Sequence, residues 1–373
     1  MVHLSVGTEK INAMNKLFSV FLSIFLWCTV CPTFASKPVV FRNQFLYQKA
    51  PFPSCHAATI VELKNGDLLA AYFGGAYEGS KDVCIWLSRK NKGEERWEAP
   101  VQVADGILSD SIRKPCYNPV LYQMPNGEVL LFFKIGLYVA DWSGWMIRSH
   151  DQGRTWSEKE PLPTGYLGPI KDKPVLVGHR LICPSSTEVG GWKIHFEIYD
   201  LKKKTWKYVG PIEAEEAVPT VEMKKEDPKK LPIECIQPTI LKLKDGRLQV
   251  LCRTKNGKIA TSYSSDQGDS WSKVTLMNLP NNNSGLDAVT LKDGSFALIY
   301  NHATTEPGKE MGPRTPLNLA MSKDGSHWTD VLTLESKPGE YSYPSIIQGK
   351  DGHLHCIYTW HRTHIRYQEV ILK

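Results

Sequence analysis

The chain reads as an all-β protein, a six-bladed β-propeller closed by its N-terminal strand. Three observations predict this. Six hairpin glycines, Gly66, Gly127, Gly178, Gly246, Gly294 and Gly352, recur at intervals of roughly 50–70 residues, the mark of a repeat architecture. Trp97, Trp156, Trp206, Trp271 and Trp328 run in step with them. No stretch sustains a helical period.

The unit is clearest from Gln237 to Trp271. An apolar run, Gln237 to Leu243, meets the turn Lys244-Asp245-Gly246, and Asp-Gly between apolar runs is a strong hairpin signal. Two more runs follow, Leu248 to Arg253 and Ile259 to Ser264, and the unit closes on Ser264-x-Asp266-x-Gly268-x-Ser270-Trp271. Ser149 to Trp156 repeats that closing pattern, Ser322 to Trp328 is one residue short of it, and the turns ending at Trp97 and Trp206 are degenerate. The weakest hairpin is that of Gly178, which follows Val177 rather than Asn or Asp. The sixth blade has no tryptophan turn after it, so Val39 to Tyr47 is the spare strand expected to complete it.

Residues 1–35 read as a secretory signal peptide. Lys16 precedes fifteen uncharged residues, Leu17 to Cys31, and a small-residue site at Thr33-Phe-Ala35, a run too short to span a bilayer comfortably. An uncleaved anchor is the alternative. Residues 36–373 form the propeller domain, and the expected location is secreted or periplasmic. A net charge of +6, spread along the chain, does not indicate a nucleic-acid partner. Lys224 to Lys230 is broken by acids and Pro and reads as a solvated loop. Cleavage after Ala35 leaves seven of nine cysteines, an odd number with no metal-ligand spacing. Asn282-Asn-Ser284 is a glycosylation sequon if the source is eukaryotic. No cofactor is called for: Gly74-Gly75 is not a phosphate loop, because no helix follows it.

In a propeller the innermost strand of each blade starts near the axis, so residues there converge. Those positions are unusually polar: His56 and Glu78 with Asp82 in blade one, Asn118 in blade two, Lys173 in blade three, Gln237 and Arg253 in blade four, Asp287 and Arg314 in blade five, and Tyr341, Tyr343 and Trp360 in blade six. Singly, each has a bland reading as an ion pair or a satisfied core group. As a set, buried charges around an axis point to a wet pocket.

The Asp-box turns, six hairpins and leader resemble the bacterial sialidase, or BNR-repeat, superfamily over about Pro51 to Tyr367. The resemblance implies an arginine triad gripping a carboxylate, a Tyr nucleophile with a Glu partner, and an acid on a loop of blade one. Arg253 and Arg314 fall where the second and third arginines fall. Tyr341, in Glu340-Tyr-Ser, matches the nucleophile, and Glu78, or less well Asp82, matches the acid's loop. Two positions depart: His56-Ala-Ala stands where the first arginine is expected, and Gln237 where the Glu is. Gln cannot take a proton from Tyr, and His lacks the guanidinium fork.

The leading expectation is an exported hydrolase acting on terminal acidic sugars, sialic or uronic, of a glycan or oligosaccharide. Arg253 and Arg314 would clamp the carboxylate, with Asn118, Lys173, Asp287 and Tyr343 as further binding residues. Tyr341 would be nucleophile or base, and Glu78 or His56 the acid. The alternatives are a lyase or His-dependent glycosidase on uronate-containing chains, which accounts better for His56 and Gln237, and a non-catalytic glycan-binding propeller.

Overall fold

A computed structural model describes residues 38–372. The proposed signal peptide lies outside the described residues. Six four-stranded antiparallel sheets make up the propeller. From inside to outside, blade one is Ser54–Glu62, Leu68–Gly75, Cys84–Lys90 and Val101–Ala104; blade two is Cys116–Gln123, Val129–Ile135, Ser143–Ser149 and Glu160–Pro161. Blade three is Val175–Val177, Arg180–Thr187, Lys193–Asp200 and Thr205–Val209; blade four is Cys235–Lys242, Leu248–Thr254, Lys258–Ser264 and Thr275–Pro280. Blade five is Asp287–Thr290, Phe296–Asn301, Leu317–Ser322 and Trp328–Glu335. Blade six is Tyr341–Gln348, Leu354–Trp360 and His364–Ile371, and its outer strand is Val39–Phe45 from the other end of the chain. The register runs from Val39 opposite Ile371 to Phe45 opposite Arg366. Ring closure by the N-terminal strand removes the open edge that blade six would otherwise carry.

The hairpin turns behave alike. All six glycines sit at positive φ, from 60° at Gly178 to 99° at Gly127. The atypical Val177-Gly178 turn therefore adopts the same conformation, because glycine, not the residue before it, is what a left-handed turn position requires.

The Asp-box turns are seams between blades. Asp266 accepts hydrogen bonds from the Ser270 amide, the Ser270 hydroxyl and the Ser264 hydroxyl, and these donors outweigh burial and pull its carboxyl down to about 2. Gly268 of that turn lies against Ile182 of blade three. The Trp271 ring stacks on Phe196 of blade three, with centroids 3.9 Å apart and planes 8° from parallel. Gly153 meets Leu69 of blade one and Gly325 meets Gln249 of blade four in the same way. Each box is thus folded by its own aspartate and glued to the preceding blade, which lets the apolar core run as clusters between neighbouring sheets.

All seven described cysteines are free and buried, as small hydrophobes are. The sequon does not offer an attachment point: the Asn282 side-chain amide is buried and donates to the Pro313 carbonyl at 2.6 Å. Among the described residues no helix is long and apolar enough to cross a membrane.

Candidate functional site

The innermost strands of four blades are interrupted at the same point. Register shifts fall between His56 and Thr59, Tyr117 and Val120, Ile236 and Thr239, and Ser342 and Ser345. At each bulge one non-glycine residue has positive φ: Ala57 (53°), Asn118 (41°), Gln237 (55°) and Tyr343 (50°). Three of these precede a proline, Pro119, Pro238 and Pro344. A bulge leaves one residue out of the ladder, and proline has no N–H to leave unpaired there. Positive φ outside glycine is costly and collects at functional sites. The bulges bring Asn118, Gln237 and Tyr343 to a common cavity of about 280 Å³, whose wall also includes Glu78, Tyr117, Trp142 and Glu188.

Tyr343 is the centre of the constellation. Its hydroxyl oxygen accepts from Arg253 Nη1 at 2.8 Å and from Gln237 Nε2 at 3.1 Å. Arg253 Nε donates to Asn283 Oδ1 at 3.1 Å, and Gln237 Oε1 accepts from Arg253 at 3.2 Å, so the guanidinium is fixed on both sides. Arg253 and Arg314 each lie 5.9 Å from the Tyr343 ring centroid, and so does the Lys171 ammonium. His56 packs on the same ring at 4.2 Å and shares a hydrogen bond with Thr359 at 2.9 Å. Burial, then the positive charges of Arg362, Arg314, Arg253 and Lys171, push the His56 imidazole well below its ordinary range, so it is neutral.

A second layer joins two more guanidinium groups through one carboxylate. Glu340 Oε1 accepts from Arg314 Nη1 and from Arg362 Nε, both at 2.6 Å. Burial would raise Glu340, but the two guanidiniums outweigh it and hold the carboxyl below its usual range. Arg362 also pairs with Glu78. It sits with His361 in the three-residue loop between Leu354–Trp360 and His364–Ile371, and both residues have positive φ, 50° and 59°. Positive φ favours Asn and Gly, so His-Arg here is held against preference. Across the cavity Glu188 is raised by burial, against the opposing pull of Arg253.

The structure therefore brings together His56, Glu78, Asn118, Gln237, Arg253, Arg314 and Tyr343. It does not bring in five others. The Tyr341 side chain is 2% exposed and packs in the core between blades five and six with Leu291, Ile346 and Tyr358. Only its backbone reaches toward the site, the Tyr341 N–H donating to the Arg314 carbonyl at 3.1 Å. Lys173 and Asp287 form an ion pair at 2.7 Å, and Asp287, fully buried, also accepts from Thr239 Oγ1 and the Ile346 amide. With those acceptors filled, the pair fastens the axis rather than facing the cavity. Trp360 packs against Phe45 at 5.1 Å, and Asp82 folds its own loop by accepting from the Ala76 amide and Ser80.

Arg362 and Tyr117 stand among the strand-start residues the sequence offers but drew no role there, and Trp142 was not singled out. The repeated residue-Pro pair, Asn118-Pro, Gln237-Pro and Tyr343-Pro, is a signal that selects Tyr343 over Tyr341. A metal has one arrangement of ligand type among the described residues: Asp351, His353 and Glu369 lie together at the other end of the blade-six strands. Arg42 donates to Glu369 there at 3.2 Å, which suits an ion pair better than a cation.

A model of the BNR repeat-like domain family matches residues 66–356. No curated protein matches the chain in sequence. Among solved structures, a Dyadobacter fermentans protein of unknown function is similar with TM-score 0.70 at 15% identity, covering 90% of this chain and 100% of that one. The NanB sialidase of Streptococcus pneumoniae is similar with TM-score 0.62 at 13% identity, over 88% of this chain and 70% of that one. The intramolecular trans-sialidase of Ruminococcus gnavus is similar with TM-score 0.64 at 14% identity, over 88% and 96%. At such identities likeness establishes the fold, while the family match spans all six hairpin glycines and all three well-formed or near-complete Asp-boxes. The chain belongs to the BNR repeat-like domain family and has the fold of the sialidase propellers.

Proposed function

We propose that this protein is a glycan-acting enzyme that holds an acidic sugar by its carboxylate and reacts through Tyr343. The observation that carries the reading is the placement of Arg253 and Arg314 beside one phenol at the mouth of the axis. Paired guanidiniums neutralise a carboxylate well, and do so best where water is sparse. Arg362 is the third guanidinium of the cluster, delivered from blade six where blade one carries His56.

Tyr343 is positioned to react. Its oxygen already accepts from a charged and a neutral donor, so the hydroxyl hydrogen is left to point into the cavity. In the hydrolytic reading the phenolic oxygen attacks the anomeric carbon of a sialic-type sugar as the glycosidic C–O bond breaks, its proton passes to water in the cavity, and a second water then releases the sugar from the tyrosine. A tyrosine nucleophile is a known exception to the two-carboxylate scheme. Glu78, on the cavity wall, is the candidate to protonate the leaving oxygen.

One observation favours a second reading. Among the described residues no carboxylate touches the Tyr343 hydroxyl, since Gln237 occupies that place. Elimination from a uronate needs no such partner. A neutralised carboxylate acidifies the neighbouring C–H; the deprotonated Tyr343 oxygen removes that proton, a carbon–carbon double bond forms as the C–O bond to the next sugar breaks, and Tyr343 returns the proton to the leaving oxygen. An assay of α-sialosides and uronate-containing oligosaccharides separates the readings: released sugar without new ultraviolet absorbance indicates hydrolysis, and absorbance from a new carbon–carbon double bond indicates elimination. Saturable binding without turnover over both panels would overturn the enzymatic proposal.

We also propose that the protein works outside the cytoplasm after loss of residues 1–35. The charge-free run after Lys16 supports this.

A further inference from the structure

The connection from blade three to blade four, residues 210–234, is long, and it folds back on itself as a small ribbon, Glu216–Ala217 paired with Leu231–Pro232. It is laced to both blades: the Ile212 amide donates to the Ile194 carbonyl at 2.9 Å, and the Val274 amide donates to the Glu213 carbonyl at 2.8 Å. Between the ribbon and the blades lies a groove of about 540 Å³, separate from the axial cavity. Its floor is apolar, made of Trp192, Pro211, Ile212, Leu231 and Pro232. Its rim is polar, with Lys193, Glu213 and Glu234.

Trp192 joins groove and axis. Its ring lies 5.0 Å from the Arg253 guanidinium, yet Arg253 does not line the groove, so the indole stands between the two. Glu234 Oε1 accepts from the Trp192 amide at 2.8 Å while Oε2 accepts from Lys255 at 3.0 Å, which fixes the wall in place.

We infer that this groove is a second sugar subsite, taking a neutral pyranose next to the acidic sugar at the axis; this rests on the glycan-acting reading above. A pyranose presents an apolar C–H face and a rim of hydroxyls, which matches an apolar floor with donors and acceptors at its edge. The rim acids Glu213 and Glu234 pair with Lys273 and Lys255, which leaves the exposed Glu215 and Glu216 nearby to disfavour a second anion. The substrate is then an acidic sugar attached to a neutral glycan, not a run of acidic residues.

The test uses the full propeller and four probes, lactose, maltose, cellobiose and D-glucuronate, with binding read by saturation-transfer NMR and calorimetry. Leu231→Asp is the informative variant, because Leu231 is 44% exposed and the change places charge on the floor without opening the core. At least one neutral disaccharide binds the wild type, and Leu231→Asp weakens it by about tenfold or more, as loss of an apolar contact and a charge set against the sugar's apolar face require. Glucuronate binding is unchanged by Leu231→Asp and lost in Arg314→Ala, so failure of the carboxylate clamp is seen separately. No binding by any of the three disaccharides, or binding that survives Leu231→Asp, overturns the inference.

Discussion

Arg253 Nη1 donates to the Tyr343 hydroxyl oxygen at 2.8 Å, across two blades and 90 residues of sequence. That bond ties the group that would bind a carboxylate to the group that would react. Both residues are held by other contacts, Arg253 by Asn283 and Gln237 and Tyr343 by the bulge before Pro344, so the pair is in position before any ligand arrives.

Tyr343→Phe removes the reacting oxygen and keeps the ring. Turnover is expected to fall by about a thousandfold, within the range of a lost acid–base or nucleophilic group, with a stability cost of about 1–3 kcal/mol from the partner that Arg253 and Gln237 lose. Tyr341→Phe is expected to retain turnover within about threefold, because its ring is core packing. Steady-state kinetics of the two variants decide between the tyrosines.

Arg314→Lys keeps a charge but loses the fork that reaches Glu340 and Ser342. Substrate binding is expected to weaken by about 10–100-fold, the scale of a lost charge-assisted pair. The remaining affinity should fall as salt rises. Measuring KM between low and high ionic strength checks both statements.

Stability should depend on pH through His56. Its folded-state pKa lies below the ordinary 6.5, so as pH falls through 6.5 the unfolded chain gains a proton that the folded chain does not. The folded state therefore loses stability toward acid, with a limiting slope of about 1.4 kcal/mol per pH unit from this one group. His56→Gln, which can keep a hydrogen bond to Thr359, is expected to lose less stability than the wild type between pH 7 and pH 5. Denaturant titrations across that range show whether the two curves diverge.

Trp271→Ala opens the seam between blades three and four, where the indole stacks on Phe196. A loss of about 3 kcal/mol is expected, in the range for large aromatic truncations. Chemical denaturation gives the figure, and retained circular dichroism of the native state confirms that the propeller still forms.

The blade count and the closing strand were legible because turn chemistry repeats. Glycine at a left-handed position and Ser-x-Asp before Trp act through neighbours a few residues away. The site was legible in part for the same reason: strand starts converge in any propeller, so His56, Asn118, Gln237, Arg253 and Arg314 could be named before their contacts were known. What sequence does not show is where a side chain points. Tyr341 and Tyr343 are two apart, and the bulge at Tyr343 reverses the alternation that would have set their faces. Lys173 and Asp287 satisfy one another across the axis, a pairing between blades three and five that no local pattern encodes. Arg362 could be placed at the blade-six strand ends but not given a role, because His-Arg is an unusual occupant of a tight turn.

The central claim is carboxylate recognition by the axial arginines. Its most direct measurement is the affinity of D-glucuronic acid and N-acetylneuraminic acid, each against its own methyl ester, at pH 7. At least one acid should bind, and bind about 30-fold or more tightly than its ester, as expected when an ion pair with paired guanidiniums is lost. Equal affinity of acid and ester would contradict the account.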